Sequence, residues 1–222
     1  MKIKQVEIGS NNLIETEKFY TEVLGFQLIA KDASSISFKT GSSTLKIVST
    51  KINKPVYHFA FDIPHNNLKE AEKWLFSRVT IIQFQNENIV DFPNWNAKSI
   101  YFLDNNGNVL EFIARFNNEN KSDMPFEGSS IVSISEIALV TGDVEELAKE
   151  LIDKYGLHYY GKQAQLDTFS VLGEAEALLI LVSSEKNWFP TMIKAERFPT
   201  KALLEFNNKQ IQLEYNYPKK CC

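Results

Sequence analysis

The chain has 222 residues, 44% of them hydrophobic and 23% charged, the balance of an ordinary globular protein long enough to bury a core without staples. A formal net charge of -4 leaves no basic footprint, so a nucleic-acid partner is not expected. The longest aliphatic run, Ala177 to Val182, is far too short to span a bilayer, and the opening "MKIKQVEIGSNN" lacks the apolar segment of a signal peptide. The adjacent Cys221 and Cys222 exclude a disulfide framework and point to a reducing compartment. A cytoplasmic protein is expected, with "KKCC" read as a frayed tail in preference to a lipidated one.

In chain order, a short alternating strand, a cap and an amphipathic helix recur three times. In "IKQVEIGSNNLIETEKFYTEVLGF", Asn11 or Asn12 is the cap, Phe19 and Val23 share a helix face, and Gly25 is the stop. The β-rich pieces "FQLIAKD", "SSISFKTG" and "STLKIVST" follow. In "VYHFAFDIPHNNLKEAEKWLFSRV", Asn66 or Asn67 is the cap and Leu68, Ala71 and Leu75 form the stripe. After it come "VTIIQFQ", "KSIYFLD" and "NVLEFIAR", the last two joined by the hairpin turn "DNNGN" with Gly107 free to take positive φ.

Residues 117–130, "NNENKSDMPFEGSS", are polar and turn-rich and read as a linker. The third helix, in "VSISEIALVTGDVEELAKELIDKYGL", is capped by Asp143, buries Val144, Leu147 and Leu151, and stops at Gly156. Finally, "TKALLEFNNKQIQLEYN" resembles the last hairpin of a fourth unit whose first strand and helix are replaced by "SEKNWFPTMIKAERFP". The predicted fold class is α+β. Two βαβββ units fill 1–116, a linker occupies 117–130, and a third unit with a remnant hairpin makes a degenerate second domain over 131–217.

Tandem βαβββ units with "FYTEVLGF" closing the first helix and "YFLDNNGNVLEFIAR" ending the second unit resemble the vicinal oxygen chelate superfamily. That superfamily includes glyoxalases, extradiol dioxygenases, fosfomycin-modifying enzymes and bleomycin-binding proteins. The resemblance implies a glyoxalase-like fold in which two paired units form a cup, with metal ligands on the first and last strands of each unit. Those positions fall on Gln5 and Lys46 in the first unit and on His58 and Glu111 in the second. A protonated lysine is no ligand, so the implied set is Gln5, His58 and Glu111, with Gln5 standing where histidine is commoner.

Strand alternation is compatible with that cup. In "VYHFAFDI" the aromatic face of Tyr57, Phe59 and Phe61 belongs under the helices, which turns Val56, His58 and Ala60 the other way. The same count turns Gln5, Glu7, Lys46 and Glu111 away from the helices. Unpaired burial of such groups is costly, so they require water, one another or a cation. Imidazole, carboxylate and amide donors suit a divalent ion of Zn, Fe, Mn, Ni or Co, and three protein ligands leave positions open for a small-molecule substrate.

Two roles are open to Gln5, ligation or a hydrogen bond across the sheet. Glu7 is either a general acid/base or the ion-pair partner of Lys46, the second being favoured, and Lys46 is also placed to hold an anionic substrate group. Phe92, Trp95 and Tyr101 either line the pocket or belong to the core. His65 and His158 read as solvated. Glu136 and Glu214 take ligand positions in the second half, where no complete site is expected.

The resemblance thus implies a metal-dependent lyase or isomerase of glyoxalase-like kind acting on a small oxygenated molecule. The alternatives are an Fe(II) extradiol dioxygenase and a non-catalytic drug-binding protein, and a homodimer is compatible with each.

Overall fold

The computed structural model describes residues 1–216, so the expectation for Cys221 and Cys222 lies outside the described residues. The first repeat forms β1 (Lys2–Ser10), α1 (Leu13–Lys18), β2 (Gln27–Lys31), β3 (Ser35–Thr40) and β4 (Ser43–Ser49). The second forms β5 (His58–Ile63), α2 (Leu68–Phe76), β6 (Ile81–Ile82), β7 (Val90–Phe92), β8 (Ala97–Leu103) and β9 (Val109–Arg115). The third is a strand short: β10 (Ser133–Thr141), α3 (Val144–Tyr155), β11 (Phe169–Glu174) and β12 (Ala177–Ser183). The hairpin of β13 (Thr200–Phe206) and β14 (Lys209–Tyr215) closes the chain, turning at Asn207 and Asn208, both at positive φ. No helix among the described residues is long and apolar enough to cross a membrane.

Local chemistry sets most helix ends. Asn12 accepts from the Glu15 N–H at the start of α1, and Asp143 accepts from the Glu146 N–H at the start of α3. Gly156 then ends α3 at φ +69°. Helix α2 differs from expectation. The Asn67 side chain makes no cap; its amide donates to Glu70 and to the Met124 carbonyl. The 117–130 segment is also more tightly held than a free linker, because Asn120 donates to Asp62, Phe126 is buried, and Gly128 lies against the Leu24 carbonyl.

Two mixed sheets result, in the orders β14-β13-β1-β4-β3-β2 and β11-β12-β10-β5-β9-β8-β6, with β7 pairing on β8. This order corrects the expected division of the chain. The first unit shares its sheet with the terminal hairpin, and the second unit shares its sheet with the third. The edge of β1 is taken by β13 and that of β5 by β10, both antiparallel, so each sheet draws on both sides of 117–130. Units one and two do not build a common cup, because alternation fixes which face of a strand is apolar but not which strand lies beside it.

The apolar faces meet in one core that includes Val6 and Ile8 of β1, Phe59 and Phe61 of β5, Phe112 of β9 and Ile137 and Leu139 of β10. The other face of the second sheet carries Tyr101, Val109, Ala138, Ile180 and Val182, with Trp188 packed over it. That second face is the floor of a cavity.

Candidate metal centre

Strand register builds the site. Across β10, β5 and β9, Glu136 lies opposite Ala60 and Ala60 opposite Glu111, while Tyr101 of β8 faces Glu111 from the far side. His58 stands two positions before Ala60 on β5 and so shares its face. Adjacent strands are about 4.8 Å apart, so two carboxylates flanking β5 approach each other only over a small side chain, which Ala60 provides. A register shift between Ile134 and Glu136 marks a bulge that lets Ile134 and Ile137 both enter the core, with Glu136 left on the cavity side.

His58, Glu111 and Glu136 are all buried, and one donor atom of each lies within 4.8 Å of the others. The His58 Nε2 to Glu111 Oε2 distance is 3.6 Å, inside the roughly 4.2 Å that two bonds of about 2.1 Å to one ion can bridge. Neighbours hold each donor in place. The His58 Nδ1–H donates to the Val109 carbonyl at 2.9 Å, which leaves Nε2 as the lone-pair nitrogen. Ser99 Oγ donates to Glu111 Oε1, and the Arg115 guanidinium donates to Glu136 Oε1.

The electrostatics favour a cation. Burial lowers the His58 pKa, against the pull of Glu136 and the Val109 carbonyl, so the ring is neutral and able to ligate. Burial raises Glu111, and burial followed by the charge of Glu111 pushes Glu136 up to about 7, despite Arg115 and His58. Two buried carboxylates thus face one guanidinium. Arg115 is itself buried, with Nε and Nη1 unpartnered among the described residues and its guanidinium 5.6 Å from the Trp95 ring centre.

Above these donors lies a cavity of about 350 Å³, lined by His58, Glu111 and Glu136 and by aromatic walls that include the expected Phe92, Trp95 and Tyr101. Gln5, Glu7 and Lys46 are not among its lining residues. They belong to the first sheet, where Gln5 and Glu7 line a shallow groove with Lys201, Gln212 and Glu214. There Glu7 is 3.0 Å from Lys46 Nζ and 3.7 Å from Lys201 Nζ, so the favoured Glu7–Lys46 ion pair is present. Gln5 cannot join His58 because β1 and β5 lie in different sheets, and Glu136 of the third unit stands where Gln5 was expected.

Sequence reasoning had noticed Glu136 but assigned it to a second set of positions. It missed Arg115, Trp188 and Phe189. The signal for the last two was the aromatic pair in "NWFP", inside the segment that breaks the repeat pattern.

No family model matches the chain. The metallothiol transferase FosB of Staphylococcus haemolyticus is 28% identical over 116 residues, spanning 49% of this chain and 80% of that protein. A candidate dioxygenase of Bacillus subtilis superposes with a TM-score of 0.62 at 16% identity, over 96% of this chain and 66% of the other. These likenesses indicate the vicinal oxygen chelate superfamily. Glyoxalase I of Zea mays shares the fold too, at TM-score 0.56 and 18% identity, over 81% of this chain and 66% of the other. All three donors come from one chain, on β5, β9 and β10. A neutral imidazole with one free nitrogen and two carboxylates starved of positive charge fit a borderline or hard divalent ion.

Proposed function

We propose that the chain is a divalent-metal-dependent enzyme of glyoxalase-like kind, a lyase or isomerase acting on a small oxygenated molecule. The observation that carries this reading is the convergence of His58, Glu111 and Glu136, buried and with one donor atom of each within 4.8 Å of the others, at the base of a cavity. A divalent ion held there supplies Lewis acidity to a substrate oxygen.

The protein's own groups orient and exclude water. Val109, Ser99 and Arg115 fix the three donors, so little reorganisation remains when an ion and a substrate arrive. The aromatic walls keep the surroundings dry, which strengthens each electrostatic contact. Burial and the neighbouring Glu111 and Glu136 hold the Tyr101 phenol well above its usual pKa, so at neutral pH it is a hydrogen donor and not a base. Glu7, tied to Lys46 and Lys201 on the other sheet, is left out of the acid/base role.

A single imidazole with two carboxylates departs from the two-histidine, one-carboxylate set of non-haem iron oxygenases, which places the dioxygenase reading second. Elemental analysis of purified protein tests the proposal. About one divalent ion per chain, lost in His58→Ala, is expected; a chain that neither carries nor takes up an ion would leave the non-catalytic binding reading in its place.

A further inference from the structure

The cup has a charged floor and largely aromatic walls. The rings of Phe92, Trp95, Tyr101, Trp188 and Phe189 all line it. Phe189 meets Tyr101 edge-on, with centroids 5.6 Å apart, and Phe92 likewise at 6.2 Å, while Trp188 stands 5.7 Å from His58. Lys186 is the one lysine or arginine among the described lining residues, and it is exposed. A small polyanion would find no guanidinium clamp in these walls.

Trp188 is 3% exposed and its indole N–H is out of solvent's reach, with no acceptor among the described residues, so it gives the wall a ring and not a donor. Both Trp188 and Phe189 lie in the segment that replaces the fourth unit's first strand and helix, so this break in the repeat supplies the wall.

We propose that the cup takes an aryl-bearing molecule, its ring held against Phe189 and Tyr101. Phe189 is then the specificity-determining residue. The placement of the ligand's metal-facing oxygens rests on the metal reading above; the ring contacts do not.

Benzohydroxamate and acetohydroxamate share one chelating head and differ by the ring, so calorimetric titration of the ion-loaded full chain with each isolates the wall. Benzohydroxamate is expected to bind at least about tenfold tighter. Phe189→Ala, at a 43% exposed position whose truncation the fold tolerates, is expected to shrink that ratio to below about threefold. A wild-type ratio near one, or a ratio unchanged in Phe189→Ala, overturns the proposal. Ion uptake is measured first on the same sample. Uptake with a ratio near one overturns the aryl proposal and spares the metal reading. Absent uptake overturns the metal reading, and the ratio on the ion-free protein then decides the aryl proposal, binding of neither compound counting against it.

Discussion

Arg115 is fully buried, hydrogen-bonds to Glu136 and places its charge near Glu111 and Asp62 as well, which makes it the residue on which the ion-free cup depends. Removing one partner of a buried ion pair leaves the other charge unpaired, at a cost of about 3–5 kcal/mol. Arg115→Met is therefore expected to lower the urea-unfolding free energy by about that much in the ion-free protein, and by less with a divalent ion present to supply the lost charge.

Asp62 gives a pH test at the same scale. Burial pushes it up to about 6, against Arg115 and the amides of Asn118 and Asn120. Its folded pKa lies above its unfolded value, so its contribution is full below about pH 4 and is lost as the pH rises through about 6. Asp62→Asn keeps an acceptor for Asn120 and removes the charge. Melting temperatures from pH 4 to pH 8 are expected to show the variant as the more stable protein above pH 6 and to converge with the parent at pH 4; a constant offset would count against this reading of Asp62.

Among the elements, the 117–130 segment behaves as a fastened strap. A Cβ on Gly128 would collide with the carbonyl oxygen of Leu24, a backbone atom that cannot step aside without moving the helical turn Phe19–Val23 that follows α1. Gly128→Ala is expected to cost about 1–3 kcal/mol of stability in urea titration and to leave ion stoichiometry unchanged. Helix ends and strand faces were legible in the sequence where local chemistry decides them. Asn12, Asp143 and Gly156 act as expected, and Phe59 and Phe61 turn inward while His58 turns to the cavity. What local reasoning could not see was the bulge at Ile134–Glu136, because a two-residue period read straight through puts both residues on one face.

In the whole molecule the two sheets repeat one plan with different outcomes. On the first, Glu7 lies between Lys46 and Lys201, and Lys201 also reaches Glu214 at 3.4 Å, so the charges satisfy one another and call for no cation. On the second, Ala60 and Glu111 occupy the register positions that Glu7 and Lys46 hold on the first, and the carboxylates are in excess. Repeat reasoning therefore picked out His58 and Glu111, two of the three clustered side chains, but it paired different units from those that share a sheet, since strand partners are chosen by tertiary packing and not by local pattern.

Calorimetric titration of a divalent ion into Glu136→Gln and Gln5→Ala is the most direct test of that pairing. A cup built from the second and third units predicts that Glu136→Gln binds at least about tenfold more weakly than the parent while Gln5→Ala binds as the parent does. Loss of binding in Gln5→Ala with binding kept in Glu136→Gln would contradict it.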